Sequence, residues 1–287
     1  MKRIGVLYHP KVATAPSEAA EIEQLLRRSG VSTWVSSAWE EEKARNLAEG
    51  TDLIVSLGGD GTILRAAHIV LPHSIPIVGV NMGRLGFMTE LDITEVEQKL
   101  PSLARGEGWL DERSMVEAEL WPSGEEGNRH RQVFTALNDV VVGRGAQARV
   151  VYVEVIIDDQ PFTTLKVDAI VLATATGSTG YSLAAGGPIL HPQSRDLVMQ
   201  PVAPHLSLSN GLVLAPDSRV ELRVSSTRPA LLSLDGQIDR TLQNDDRVVI
   251  RRSASVTRFL RLAPPSAFYS QLENKLRGNR KVESRKG

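Results

Sequence analysis

Leu53-Ile54-Val55-Ser56-Leu57-Gly58-Gly59-Asp60-Gly61-Thr62-Ile63-Leu64 is the stretch on which the fold turns. Leu53 to Leu57 reads as a buried strand and Gly58 to Thr62 as a tight turn. Ile63 to Leu71 reads as a helix, with Ile63, Leu64, Ala67, Val70 and Leu71 at helical spacing. Gly58, Gly59 and Gly61 let the backbone approach an anion closely, and the N–H groups and dipole of the helix N-terminus favour phosphate there. Asp60 is the anomaly, because a carboxylate is repelled by bound phosphate. Two readings of it stay open. Either it takes a proton, holds Mg²⁺ or grips a ribose hydroxyl, or it caps the helix that begins near Thr62.

Outward from this point the first part of the chain alternates strand and helix. Arg3 to Tyr8, Val31 to Val35 and Ile75 to Val80 read as further strands, and Ser17 to Ser29 and Glu40 to Ala48 as helices. Strands separated by helices imply a doubly wound α/β domain around a parallel sheet, over residues 1–105. Ligands sit at the carboxyl ends of such strands, which is where Gly58 to Thr62 and Asn81 to Phe87 fall. After a helix near Ile93 to Leu103 the pattern becomes β-rich. Met115 to Trp121, Gln132 to Val142, Val150 to Ile157, Ala169 to Ala173, Gly211 to Leu214, Arg219 to Ser225, Ala230 to Leu234, Arg247 to Arg251 and Val256 to Leu260 are separated by turn residues. They predict a mostly antiparallel β domain over 106–262, with a hairpin tip at Pro122 to Asn128 and a turn at Asp158-Asp159 beside Pro161. Residues 263–287 hold a helix, Ala267 to Leu276, expected to pack back on the first domain, and a basic tail that reads as a solvated terminus.

Composition narrows the class. With 287 residues, 41% hydrophobic and 23% charged, the chain is that of a soluble protein of two ordinary domains. A formal net charge of -1 gives no whole-chain attraction to nucleic acid or an anionic membrane, so a phosphate ligand needs a local site. Zero cysteines exclude disulfides and thiolate chemistry. Lys2 and Arg3 precede only a short apolar run, which soon meets Pro10, and no apolar stretch approaches membrane-spanning length, so a cytoplasmic location is expected. The six histidines are scattered without ligand spacing. There is no Gly-x-Gly-x-x-Gly after the first strand, no Walker loop and no His-Glu-x-x-His.

Three more loops follow strand-like runs: Asn81-Met82-Gly83-Arg84-Leu85-Gly86-Phe87, Ala136-Leu137-Asn138-Asp139 and Thr174-Ala175-Thr176-Gly177-Ser178-Thr179-Gly180-Tyr181-Ser182. Together with the first, and in this order, they resemble the NAD kinase family, which phosphorylates NAD to NADP. The likeness runs from the first strand to about residue 262. It implies an active site in a crevice between the two domains, with Asp60 as general base for the adenosine ribose 2′-hydroxyl. Gly58, Gly59, Gly61 and Thr62 would form the phosphate loop. The dinucleotide contacts carried over are Asp60, Gly61, Asn138, Asp139, Arg149, Lys166, Asp168, Thr179, Gly180, Tyr181, Ser182, Leu183, Ala184 and Gln237. The resemblance further implies ATP or polyphosphate as donor, a divalent cation such as Mg²⁺ on the donor phosphates with no protein metal ligand assigned, and a homodimer or homotetramer.

Read without the resemblance, several of these residues have plainer roles. Asn138-Asp139 would be an Asx turn, Arg149 and Lys166 surface charge, and Phe87 core rather than adenine packing. The family more often has Pro at Ala175, Ala at Gly180, Arg at Lys166 and Arg-Pro at Asn210-Gly211. Lys166 matters most, since lysine lacks the bidentate fork of arginine. A lipid kinase with the same glycine loop and a non-catalytic NADP-binding regulator are the competing readings. The Thr174 to Ser182 stretch argues against the first and the presence of Asp60 against the second.

Overall fold

The computed structural model describes residues 1–83, 86–124, 131–145, 150–205, 209–226 and 228–277. Two compact units appear, Met1–Glu112 with Thr257–Gly287, and Arg113–Val256. The change from alternating to β-rich pattern predicts divisions at 105/106 and 262/263. The units instead divide inside two long strands, Trp109–Trp121 and Arg247–Arg261, which carry the chain out of the first unit and back.

The first unit holds β1 (Arg3–Tyr8), α1 (Ala15–Arg28), β2 (Ser32–Ser37), α2 (Glu41–Ala48), β3 (Leu53–Leu57), α3 (Asp60–Val70), β4 (Ile77–Asn81), β5 (Leu91–Asp92) and α4 (Val96–Ala104). Its parallel sheet runs β2-β1-β3-β4, with β5 against the end of β4. Every residue of β3 and β4 is buried, as strands covered on both faces must be. Helix α1 buries Ala15, Ala19, Ile22 and Leu26 at helical spacing and stops at Gly30, whose φ of 78° suits glycine. It packs beside α4, and α2 packs beside α3. Strand order reverses direction between β1 and β3, so the loops after these two strands open at the switch point where such sheets bind ligands.

The second unit begins within β6 (Trp109–Trp121) and continues through β7 (Gln132–Ala136), β8 (Asp139–Arg144), β9 (Val151–Ile157), β10 (Gln160–Val167), β11 (Ala169–Ala173), α5 (Tyr181–Ala184), β12 (Leu197–Val202), β13 (Leu212–Leu214), β14 (Val220–Val224), β15 (Ala230–Leu234), β16 (Ile238–Leu242) and into β17 (Arg247–Arg261). One antiparallel sheet runs β13-β12-β11-β8-β15-β16 and another β10-β9-β14-β17. Val140, Val142, Ile170, Leu172 and Leu232 of the first share a core with Val153, Val155, Leu165, Leu222 and Ile250 of the second. This is sheet-on-sheet packing driven by alternate inward residues. The chain thus combines a doubly wound α/β unit with a mostly antiparallel β unit.

Some elements differ from expectation. The run Gln132 to Val142 is two strands, broken at Leu137-Asn138, and the two runs Arg247 to Arg251 and Val256 to Leu260 are one strand. The C-terminal helix α6 spans Phe268–Arg277 and belongs to the first unit. Most of the hairpin tip at Pro122 to Asn128 and of the basic tail lies outside the described residues. Among the described residues no helix is long and apolar enough to cross a membrane.

Candidate functional site

In the first unit the glycine turn joins β3 to α3. Gly58 has φ 150°, and a Cβ there would collide with the Thr62 side chain and press within 3.2 Å of the His9 Cβ. Gly59 and Gly61 are exposed, and a Cβ on either would meet nothing within 4 Å. The turn therefore presents open backbone at the start of α3, with the buried Thr62 hydroxyl beneath it unpartnered among the described residues. Asp60 is the first residue of the helix and does not cap it: Gly59 is the N-cap residue and no side-chain cap is made. Instead the two carboxylate oxygens accept from the backbone, Oδ2 from Phe87 N–H at 2.8 Å and Oδ1 from Met88 N–H at 3.0 Å. Each oxygen retains a lone pair for a further donor, and the half-buried carboxylate is fixed in direction. Phe87 is half-buried beside the carboxylate that its N–H holds.

In the second unit the break between β7 and β8 is made by Asp235. Its carboxylate accepts Leu137 N–H at 2.8 Å, Asn138 N–H at 2.7 Å and Asp139 N–H at 3.1 Å. Asp235 and Gly236 have φ of 51° and 62°, the backbone of a tight hairpin turn between β15 and β16. Gln237 follows that turn and is half-buried. Asp139 is 6% exposed. Burial, and secondarily the neighbouring Asp235 carboxylate, push its carboxyl up to about 7.

The Thr174 to Ser182 loop is built onto the same break. Thr174 N–H donates to the Asn138 carbonyl at 2.9 Å and the Thr174 hydroxyl to the Leu137 carbonyl at 2.6 Å. A Cβ on Gly177 would collide with the Asn138 carbonyl, so this contact requires glycine. The Asn138 Nδ2 lies 3.7 Å from where a Cβ on Gly180 would stand, and the Asn138 Oδ1 is buried without a partner. Thr179 donates its hydroxyl to the Thr176 carbonyl at 3.0 Å. Tyr181 is 44% exposed, Ser182 is buried with its hydroxyl unpartnered, Leu183 is half-buried and Ala184 exposed. A pocket of about 220 Å³ brings Tyr181 together with Asp168, Arg144, Ala169, Leu231 and Ser233. Arg144 pairs with Asp168 at 3.7 Å, and the Lys166 ammonium lies 5.8 Å from the centre of the Tyr152 ring.

The structure thus gathers Asn138, Asp139 and the 174–184 segment on one break in the β unit, and Tyr181 with Asp168 on one pocket. Asp60, Gly61 and Phe87 form their own cluster in the first unit. Arg149 lies outside the described residues. Residues not singled out from the sequence include Asp235, signalled only by its Asp-Gly pair, and Gly86, whose Cβ would collide with the Asp60 carboxylate. Among the described residues no group of three or more His, Asp or Glu converges as a metal site.

These two sets of loops also carry the chain's likeness to known proteins. Residues 5–108 match the model of the ATP-NAD kinase N-terminal domain and residues 137–262 that of the ATP-NAD kinase C-terminal domain. An NAD kinase of Dehalococcoides mccartyi (strain CBDB1) is 45% identical over 278 residues, covering 97% of each chain. An NAD kinase of Chloroflexus aurantiacus (strain ATCC 29366) is 43% identical over 277 residues, covering 96% of this chain and 99% of its own. A yeast NADH kinase solved in complex with NADH superposes with a TM-score of 0.86 at 24% identity, covering 98% of this chain and 89% of that one. An NAD kinase from Archaeoglobus fulgidus solved in complex with ATP superposes with a TM-score of 0.74 at 25% identity, covering 96% and 98%. With both domain models matched in order and relatives this similar over nearly their whole length, the chain belongs to the NAD kinase family.

Proposed function

We propose that this chain transfers the terminal phosphoryl group of ATP to the adenosine ribose 2′-hydroxyl of NAD, giving NADP and ADP, with Asp60 as the general base. The observation that carries the assignment is the Asp60 carboxylate itself, aimed by two backbone N–H groups and flanked by exposed glycines. A ribose hydroxyl is a poor nucleophile, and a fixed carboxylate within hydrogen-bond reach removes its proton as the O–P bond forms. Phosphoryl transfer otherwise asks for alignment and charge neutralisation, which open backbone at a helix N-terminus supplies.

Asn138, with a donor and an unpartnered acceptor, suits a purine edge or carboxamide, and exposed Tyr181 a nucleotide ring. We assign dinucleotide contacts to Gly61, Asp139, Lys166, Asp168, Thr179, Gly180, Ser182, Leu183, Ala184 and Gln237 as well, and to Arg149. A divalent cation, when bound, would neutralise charge on the donor phosphates. We further assign the enzyme to the cytoplasm, where its nucleotides are, and to a homodimer or homotetramer. Exposed Tyr152 and Phe162 on the β9–β10 hairpin offer apolar surface for self-association.

Incubating the protein and Mg²⁺ with NAD or diacylglycerol, and with ATP or polyphosphate, then reading products by mass, tests the proposal. NAD gaining one phosphoryl group from ATP supports it. Transfer only to the lipid, transfer only from polyphosphate, or no transfer at all would overturn it.

A further inference from the structure

We propose that Arg261 is a positioning residue for Asp60, acting through the backbone of Met88. The strap Gly86 to Glu90 lies between the two. Its N–H groups at Phe87 and Met88 hold the Asp60 carboxylate. The carbonyl of the same Met88 accepts from the Arg261 guanidinium at 2.8 Å. Arg261 is in turn fixed on several sides. Its guanidinium pairs with Glu90 at 3.3 Å and with Asp111 at 3.4 Å, and it lies 4.8 Å from the centre of the fully buried Phe259 ring. The second Glu90 oxygen accepts Leu262 N–H at 2.8 Å and Ala263 N–H at 2.9 Å, so both ends of this contact are tied to one carboxylate.

The three side chains are 8%, 6% and 4% exposed. Burying one guanidinium and two carboxylates is costly, and apolar replacements of similar volume are often as stable or more so. Stability alone is therefore a weak reason for such a cluster at this point. Geometry supplies a better one. The far end of the strap is tied by the Glu90 N–H to the Gly79 carbonyl at 2.8 Å, but nearer Asp60 a strap held only by that carboxylate could shift with it. Held also by Arg261, it becomes a fixed frame from which two N–H groups aim the carboxylate.

This rests on the assignment of Asp60 as general base, and a double-mutant cycle separates the two ideas. Turnover, KM for each substrate and the dissociation constant of NAD are measured for Arg261→Met, Asp60→Asn and the double variant. We expect Arg261→Met to lower kcat by roughly 10- to 100-fold, the scale of misplacing a catalytic group by about an ångström. KM and NAD affinity should stay within about threefold, on the view that the lost interaction acts only in the transition state. In the Asp60→Asn background the same substitution should cost almost nothing. A cluster that merely stabilises the unit would lower both backgrounds by one factor, and that result, or an unchanged kcat for Arg261→Met, would overturn the proposal. Near-normal turnover of Asp60→Asn alone would overturn the base assignment and this inference with it. If Arg261→Met does not fold, Arg261→Lys replaces it in the same cycle. It keeps the charge but not the fork that serves Met88, Glu90 and Asp111 together, and the same outcomes decide.

Discussion

The Asp60 carboxylate occupies the space in which a side chain on Gly86 would begin, so residue 86 must be glycine for Asp60 to keep its two backbone donors. Gly86→Ala is expected to push the carboxylate aside, costing about 1–3 kcal/mol of stability as over-packing does and lowering turnover sharply. Gly83→Ala, two residues beyond Asn81 where a Cβ meets nothing within 4 Å, should change neither. Denaturant titration and initial rates on the two variants check this. Equal behaviour of the pair would mean that the strap yields without disturbing Asp60.

Asn138→Ala should separate binding from folding. The Asn138 Oδ1 is a buried acceptor without a partner, so its removal strips nothing from the ligand-free fold and lifts a desolvation penalty. We expect unchanged or slightly higher stability and NAD affinity weaker by roughly tenfold, the worth of about one hydrogen bond to a neutral group. A calorimetric titration showing unchanged affinity would leave Asn138 a turn residue only.

Tyr181, 44% exposed on the pocket that holds Asp168, should stack on a ring of the dinucleotide. Tyr181→Ala is expected to weaken NAD binding by about 1–2 kcal/mol. An unaltered dissociation constant would remove it from the binding surface.

How far the site could be read in the sequence depended on how local its causes are. Leu53–Leu57, Ala169–Ala173 and Ala230–Leu234 are strands with the bounds that their apolar runs suggest. Gln160–Val167 was not legible, because Asp158-Asp159 and Pro161 read as a turn. In the fold Pro161 sits near the start of a strand at the end of its sheet, next to a register shift at Thr163, where a missing N–H is tolerated. Ile238–Leu242 was hidden by the charged Asp239 and Arg240, and Leu197–Val202 by Pro201. The glycine loops were visible as loops, but their holding groups were not. Asp235 reaches Leu137 to Asp139 from 96–98 residues away, and Arg261 reaches Met88 across 173. Such partners carry no local signal in the sequence; they meet only once the sheets are formed.

Buried Asp139 makes stability depend on pH. The Asp139 carboxyl is raised from 3.8 to about 7 in the fold, first by burial and then by Asp235. The folded state therefore holds a proton that the unfolded chain releases. The contribution is fully present below about 4 and is lost as pH rises to about 7. Asp139→Asn, neutral at every pH, should gain stability over the parent progressively from about pH 4 to 7 and hold that advantage above. Denaturant midpoints of the two proteins that run parallel across this range would contradict the shift.

Whether Asp60 removes the proton from the ribose hydroxyl is decided by the rate of NADP formation by Asp60→Asn with saturating ATP and Mg²⁺. Asparagine keeps the shape but can accept from only one of Phe87 and Met88, so stability should fall by about 1 kcal/mol, and NAD affinity, measured alongside, should change little. Turnover should fall by at least the ~10²-fold lost with a general base. Near-normal turnover, or activity that excess Mg²⁺ restores, would contradict it.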